Sequence, residues 1–256
     1  MIPLRDNIPS RTFPIVNTAV IVMCSIVYLM QASGTFGKGT LAEQYGMVPA
    51  RVTDPGEPVV LRQTGEVQTP YGRERVTIER PIADTPLPPW MTFMTCMFLH
   101  GSLMHFLGNM WFLWIFGDNV EDRLGRIGYA CLYLGTGLAA GLAHYVTDVD
   151  SGIPTIGASG AIAGVMGAYL YFYPHAKVQA VLPIVIILQV FTIPAPVFLG
   201  LWFVFQTVSG LQALGSSVAG GVAWWAHIGG FVAGAATAYV LGRTPLDHGD
   251  PRGERF

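Results

Sequence analysis

The chain has 256 residues, 52% of them hydrophobic and only 12% charged, about half the charged share of an average soluble domain. That composition excludes a disordered chain and speaks against an ordinary soluble enzyme. A net charge of -2 with no Lys/Arg-rich block speaks against a nucleic-acid partner. The length suits about six membrane spans of roughly 20 residues each, with their loops. The expected fold class is therefore all-α, a polytopic six-transmembrane-helix bundle in a lipid bilayer. Cys24, Cys96 and Cys131 all sit in apolar runs and read as packing residues, not as a disulfide framework.

In chain order, residues 1–12 read as a short cytoplasmic N-terminus and 13–241 as the six-span core. The first span runs from Phe13 to Gln31 behind Arg5 and Arg11. A cleaved signal peptide is the competing reading, but the run exceeds the roughly 7–15 residues of a signal's apolar core. A polar, proline-rich first loop follows at 32–89. Within it Val59-Val60-Leu61 and Val76-Thr77-Ile78 form a small hairpin around Pro70-Tyr71-Gly72.

The second span starts at Met91 or Met97 and ends at Gly117, followed by the charged Asn119–Arg126. The third covers Ile127 to Val146. The fourth, from Ser159 to Pro174, is short. Val178 to Leu214 is too long for one span and is broken by Pro194-Ala195-Pro196. It reads as an interfacial or re-entrant segment up to Ile193, then a fifth span from Pro196 to Leu214. The last span runs from Ala223 to Leu241, and 242–256 form a cytoplasmic C-terminal tail.

With six spans and both termini inside, Arg5, Arg11, Arg123, Arg126, Lys177, Arg243, Arg252 and Arg255 fall on the cytoplasmic side. The short outer loops around Asp148–Pro154 and Gly215–Gly221 hold no Lys or Arg. This is the positive-inside asymmetry. Short loops and the absence of a long N-terminal domain or targeting tail point to a bacterial plasma membrane.

Function should lie with polar residues that persist inside apolar runs, because placing them in lipid is costly. These are His100, His105 and Asn109 in the second span, Ser159 at the head of the fourth and His227 in the last. Ser159 and His227 enter from the same side at similar depth if one span separates them. A serine hydroxyl becomes a nucleophile when a neighbouring base takes its proton, and neutral histidine does this at physiological pH. Gly157 and Gly160 flank the serine at a helix start, where unpaired N–H groups can hold an oxyanion. His105 and Asn109 share a helix face and can donate to the same charge. Gly160, Gly164 and Ala168 form a small-residue stripe on the fourth span, and Gly230 and Gly234 form another on the last. Such stripes let membrane helices approach closely.

Taken together, these motifs resemble the rhomboid intramembrane serine proteases. They are His105-Phe106-Leu107-Gly108-Asn109, Glu121-Asp122-Arg123-Leu124-Gly125, Gly157-Ala158-Ser159-Gly160-Ala161, and Ala226-His227-Ile228-Gly229-Gly230 with Gly234. The resemblance implies Ser159 as nucleophile, His227 as general base, and an oxyanion hole of His105, Asn109 and the Ser159 N–H. It implies that Glu121 and Arg123 brace the turn between the second and third spans. It also implies single-span membrane-protein substrates, cleaved near the outer face, with no metal or cofactor. Trp90 is followed by Met91 where many members carry Trp-Arg, and Ala163 stands where some place a Tyr against the base. What orients His227 is thus left open. The second reading is a non-proteolytic scaffold that binds client helices.

Overall fold

The structure is a computed structural model in which residues 1–34, 40–69, 72–184, 187–213 and 223–242 are described. Its first helix, α1 (Ile15–Ala32), has no side-chain cap of its own. Glu121 supplies one, its carboxylate accepting from the Val16 and Asn17 N–H groups at 3.0 and 2.8 Å. Those N–H groups have no partner inside the helix, and the nearby carboxylate also complements the helix dipole.

The first loop is ordered where described. It holds α2 (Thr40–Tyr45), α3 (Pro49–Thr53) and an antiparallel hairpin of β2 (Val60–Thr69) with β3 (Gly72–Pro81). The hairpin was legible in the sequence but its register was not: Val60 and Leu61 pair with Pro81 and Arg80, and Val76, Thr77 and Ile78 pair with Gly65, Thr64 and Gln63; the turn residues Pro70 and Tyr71 lie outside the described residues. Arg51, 6% exposed, donates to the carbonyls of Glu43 and Ala83 at 2.7 Å each. Glu43 in turn pairs with Arg80 at 2.6 Å. These contacts fasten the hairpin to α2 and α3.

Beyond the short helix α4 (Thr92–Thr95), α5 runs from Leu103 to Tyr145. A straight helix of its 43 residues would measure about 65 Å. It does not run straight, because Gly125 adopts φ 70° and ψ 169°, a backbone state that glycine alone enters readily. The break folds α5 into two arms, so the charged Asn119–Leu124 stretch is helical and the turn is confined to Gly125. Glu121 and Arg123 accordingly face neighbouring helices. Glu121 caps α1, and the Arg123 guanidinium lies 5.7 Å from the Phe172 ring centroid at the end of α6 (Ser159–Phe172).

The stretch expected to be interfacial or re-entrant is a β-hairpin, β4 (Lys177–Ile184) with β5 (Ile187–Pro194). It is joined by β1 (Ile2–Asp6) into a three-stranded sheet of order β1-β4-β5. The fold is therefore mostly helical but not all-α, and the N-terminal segment is a strand. The physical reason is a period of two: Val178 and Ala180 are buried against the bundle while Lys177 faces out. In the sequence that alternation is hidden within a nearly continuous apolar run. The sheet is tied to the bundle by Asp6, whose carboxylate accepts from Asn119 Nδ2 and the Tyr169 hydroxyl.

Two last helices, α7 (Ala195–Ala213) and α8 (Trp224–Gly242), complete the chain. The loop Gly215–Gly221 and the tail bearing Arg243, Arg252 and Arg255 lie outside the described residues. α6 occupies the centre, with every residue from Gly160 to Tyr169 buried. By length and hydropathy alone, two helices qualify as membrane spans among the described residues, Ile15–Ala32 and Ala195–Gln212. This criterion does not reach the expected six, in part because α6 has only 14 residues. The outward faces of α1 and α7 are apolar, with Val22, Met23, Ile26, Leu201, Val204 and Phe205 exposed. Cys24 and Cys96 are buried as expected, whereas Cys131 is exposed.

Candidate active site

Close contact between α6 and α8 builds the site. A Cβ on Gly230 would fall 2.0 Å from the Gly160 carbonyl oxygen, and one on Gly234 would fall 1.8 Å from that of Gly164. Any side chain there would clash, so the two small-residue stripes bring the backbones together. This places His227, one turn into α8, opposite Ser159 at the first position of α6. His227 Nε2 and Ser159 Oγ are 2.7 Å apart.

The turn into α6 is held from the first loop side. The Gly157 N–H donates to the Cys96 carbonyl at 2.9 Å, and Met47 and Thr155 pair through both backbone groups. Gly157 has φ +131°, and a Cβ there would meet His105 ring atoms at 2.8 and 2.9 Å and Ser159 Oγ at 3.5 Å. The glycine thus leaves room for the His105 ring beside the serine. Ser102 caps α5 by accepting from the His105 N–H at 3.1 Å, which fixes His105 in the first turn.

The structure brings Ser159, His227, His105, Gly157, Gly160 and Gly230 to one place. Asn109 sits one turn further along α5 and donates from Nδ2 to the His105 carbonyl at 2.9 Å. One of its two N–H bonds is therefore engaged within its own helix. Gly234 lies deeper in the α6–α8 seam, and Glu121 and Arg123 are at the far end of the bundle. As the first residue of its helix, Ser159 has a backbone N–H with no intrahelical acceptor. An imidazole nitrogen 2.7 Å from a hydroxyl can take its proton, and donors beside that hydroxyl can hold a developing oxyanion. Among the described residues no group of three His, Cys, Asp or Glu side chains is placed to hold a metal ion.

One participant was missed in the sequence. Gln206 of α7 is buried, and its Oε1 lies 2.7 Å from His227 Nδ1. The signal was available: it is an amide inside an apolar run, which is the criterion that singled out His105 and His227. The indole rings of Trp202 and Trp224 flank the imidazole, with centroids 5.9 and 6.3 Å away.

A Rhomboid domain family model matches residues 88–244, which contain every residue of this site. Among curated proteins, the chain is 31% identical over 151 residues to Rhomboid protein 1, mitochondrial, of Saccharomyces cerevisiae, covering 57% of this chain and 40% of that protein. It is 28% identical over 163 residues to Rhomboid-like protein 11, chloroplastic, of Arabidopsis thaliana, covering 62% and 55%. It is 35% identical over 100 residues to the Presenilin-associated rhomboid-like protein, mitochondrial, of Mus musculus, covering 38% and 25%. The matches thus span between a quarter and just over half of these relatives' length. Their names place them in mitochondria and chloroplasts and give no support to a bacterial plasma membrane.

Proposed function

The chain belongs to the rhomboid family, and from that premise we propose that it is an intramembrane serine endopeptidase acting through a Ser159–His227 dyad. The observation that carries this reading is the 2.7 Å contact between His227 Nε2 and Ser159 Oγ at the α6–α8 seam. The scaffold alternative makes no use of that contact.

In the proposed reaction Ser159 Oγ attacks a peptide carbonyl carbon while its proton passes to His227 Nε2. The carbonyl oxygen becomes an oxyanion held by the Ser159 N–H and the His105 side chain, with Asn109 contributing the N–H not used on His105. The intermediate collapses to an acyl-enzyme as His227 returns the proton to the leaving amine. Water, deprotonated by the same imidazole, then releases the acid product. No step requires a metal or a cofactor.

The substrates proposed are the membrane helices of single-span proteins, cut near the outer face. Six spans are α1, the two arms of α5, α6, α7 and α8, with both chain termini on the cytoplasmic side. At 14 residues α6 measures about 21 Å, shorter than the roughly 30 Å hydrocarbon layer. Ser159 at its head is then sunk below the outer surface, within reach of a helix that unwinds there.

The test is cleavage of single-span reporter proteins co-reconstituted with the full chain in liposomes, with product termini mapped by mass spectrometry. Wild type is expected to cut within the outward half of the reporter's span, and Ser159→Ala to leave it intact. Cleavage by Ser159→Ala at the wild-type rate would overturn the assignment.

A further inference from the structure

Gln206 stands out among the polar side chains of α7. The helix faces mostly outward, with Val197, Leu201, Val204, Phe205, Val208 and Leu211 exposed, yet Gln206 is 5% exposed and turned into the bundle. A buried amide is destabilising unless its polar atoms are hydrogen-bonded. Here Oε1 meets His227 Nδ1 at 2.7 Å.

A carbonyl oxygen only accepts, so the proton of that hydrogen bond resides on Nδ1. A neutral imidazole with Nδ1 protonated has its lone pair on Nε2, the atom 2.7 Å from Ser159 Oγ. We propose that Gln206 is the positioning residue of the dyad, fixing the tautomer and ring plane of His227 from the neighbouring helix. This rests on the dyad reading above and names what orients its base.

An amide suits this location better than a carboxylate. It selects the tautomer while adding no charge, and a buried charge without a counter-ion carries a heavy desolvation penalty. The titratable groups facing His227 are His105 and His144 of α5 and Ser159 of α6. Among the described residues it also meets the uncharged Gln206 and Trp202 of α7 and Trp224 of α8. Because Gln206 rides on α7, the alignment of the base depends on how α7 packs on α8. That packing is made by Phe203 stacked on Phe231 at 4.8 Å, and by Gly210 set close against Trp224.

The experiment measures the rate constant for phosphonylation of the detergent-solubilised full chain by a fluorophosphonate probe, from pH 5 to 9. It compares wild type with Gln206→Met, Gln206→Glu and His227→Ala. Gln206→Met keeps the length and removes the acceptor; its rate is expected to fall roughly 10–100-fold, the scale on which misplaced catalytic groups cost, with an unchanged melting midpoint. Gln206→Glu restores an acceptor and is expected to recover most of the rate. It also moves the acid limb of the profile to higher pH, because a carboxylate holds the imidazolium. That displacement reports contact between position 206 and the imidazole, while loss in Gln206→Met with recovery in Gln206→Glu at an unchanged melting midpoint reports positioning. A Gln206→Met rate within about twofold of wild type would overturn the proposal. Should that variant fail to fold, an unmoved acid limb in Gln206→Glu would do the same. Failure of the dyad itself shows separately, as a His227→Ala rate equal to wild type.

Discussion

α6 and α7 both pack against α8, and they do so in opposite ways. α6 meets it backbone to backbone, through glycines that leave no room for a single carbon. α7 meets it through large rings, with Trp202 and Phe203 against Phe231 and Phe205 against Trp224; it also buries Phe198 against Phe112 and Phe116 of α5 and leaves its outward face exposed. The nucleophile is thus carried on the rigid side of the base and the orienting amide on the adaptable side. Small residues in direct contact have one arrangement. The ring contacts of α7 are made through side chains, so they can adjust by rotamer changes that a glycine seam does not have.

The strongest way to break this contrast is to put a side chain into the seam. Gly234→Leu is expected to remove about 3 kcal/mol or more of stability and to abolish the folded protein, read as loss of the thermal transition in detergent. A folded Gly234→Leu with wild-type stability would show that the seam is not rigid.

The first loop belongs with the rigid side, since it holds the turn that presents Ser159. Arg51→Ala leaves the Glu43 and Ala83 carbonyls without their buried donor, at a cost of about 2 kcal/mol. Faster limited proteolysis between residues 54 and 89 is the expected sign.

A smaller effect comes from pH. Burial pulls the Glu43 carboxyl up, but the Arg80 hydrogen bond, the Ala83 N–H and the charges of Arg80 and Arg51 outweigh it and hold the group below its ordinary value of 4.5. A depressed carboxyl contributes stability that is present above the unfolded value and lost as pH falls through the folded one. The hairpin should therefore become protease-sensitive only below about pH 4.5, and Glu43→Gln should remove that dependence. Equal acid sensitivity in Glu43→Gln would contradict the role given to this carboxylate.

The smallest effect is expected on the outward face of α7. On the proposed placement of α7 in the bilayer, Leu201→Ala only reduces contact with lipid, so stability should move by less than about 0.5 kcal/mol. A large loss there would mean that α7 is covered by another protein surface, and the contrast with α6 would fall.

Much of this was legible in the sequence, for identifiable reasons. α6 and α8 follow from apolar runs that begin at Ser159 and near Ala223, and their contact follows from glycines spaced four apart. The β4–β5 hairpin was not legible, because the alternation of Lys177 and Gln179 with the buried Val178 and Ala180 is short and runs into an almost wholly apolar stretch. The helix carrying the second span runs past Gly117, because the charged residues from Asp118 to Arg123 continue it and only the backbone of Gly125 ends it. Gln206 went unread since an amide is an inconspicuous polar residue, and its partner lies on another helix, 21 positions away.

The most direct test of the central claim is to label the folded full chain with a fluorophosphonate and map the adduct by peptide mass spectrometry. One phosphonylated residue, Ser159, is expected in wild type, and no adduct in Ser159→Ala or His227→Ala. An adduct on another residue, or equal labelling of Ser159 when His227 is alanine, would contradict it.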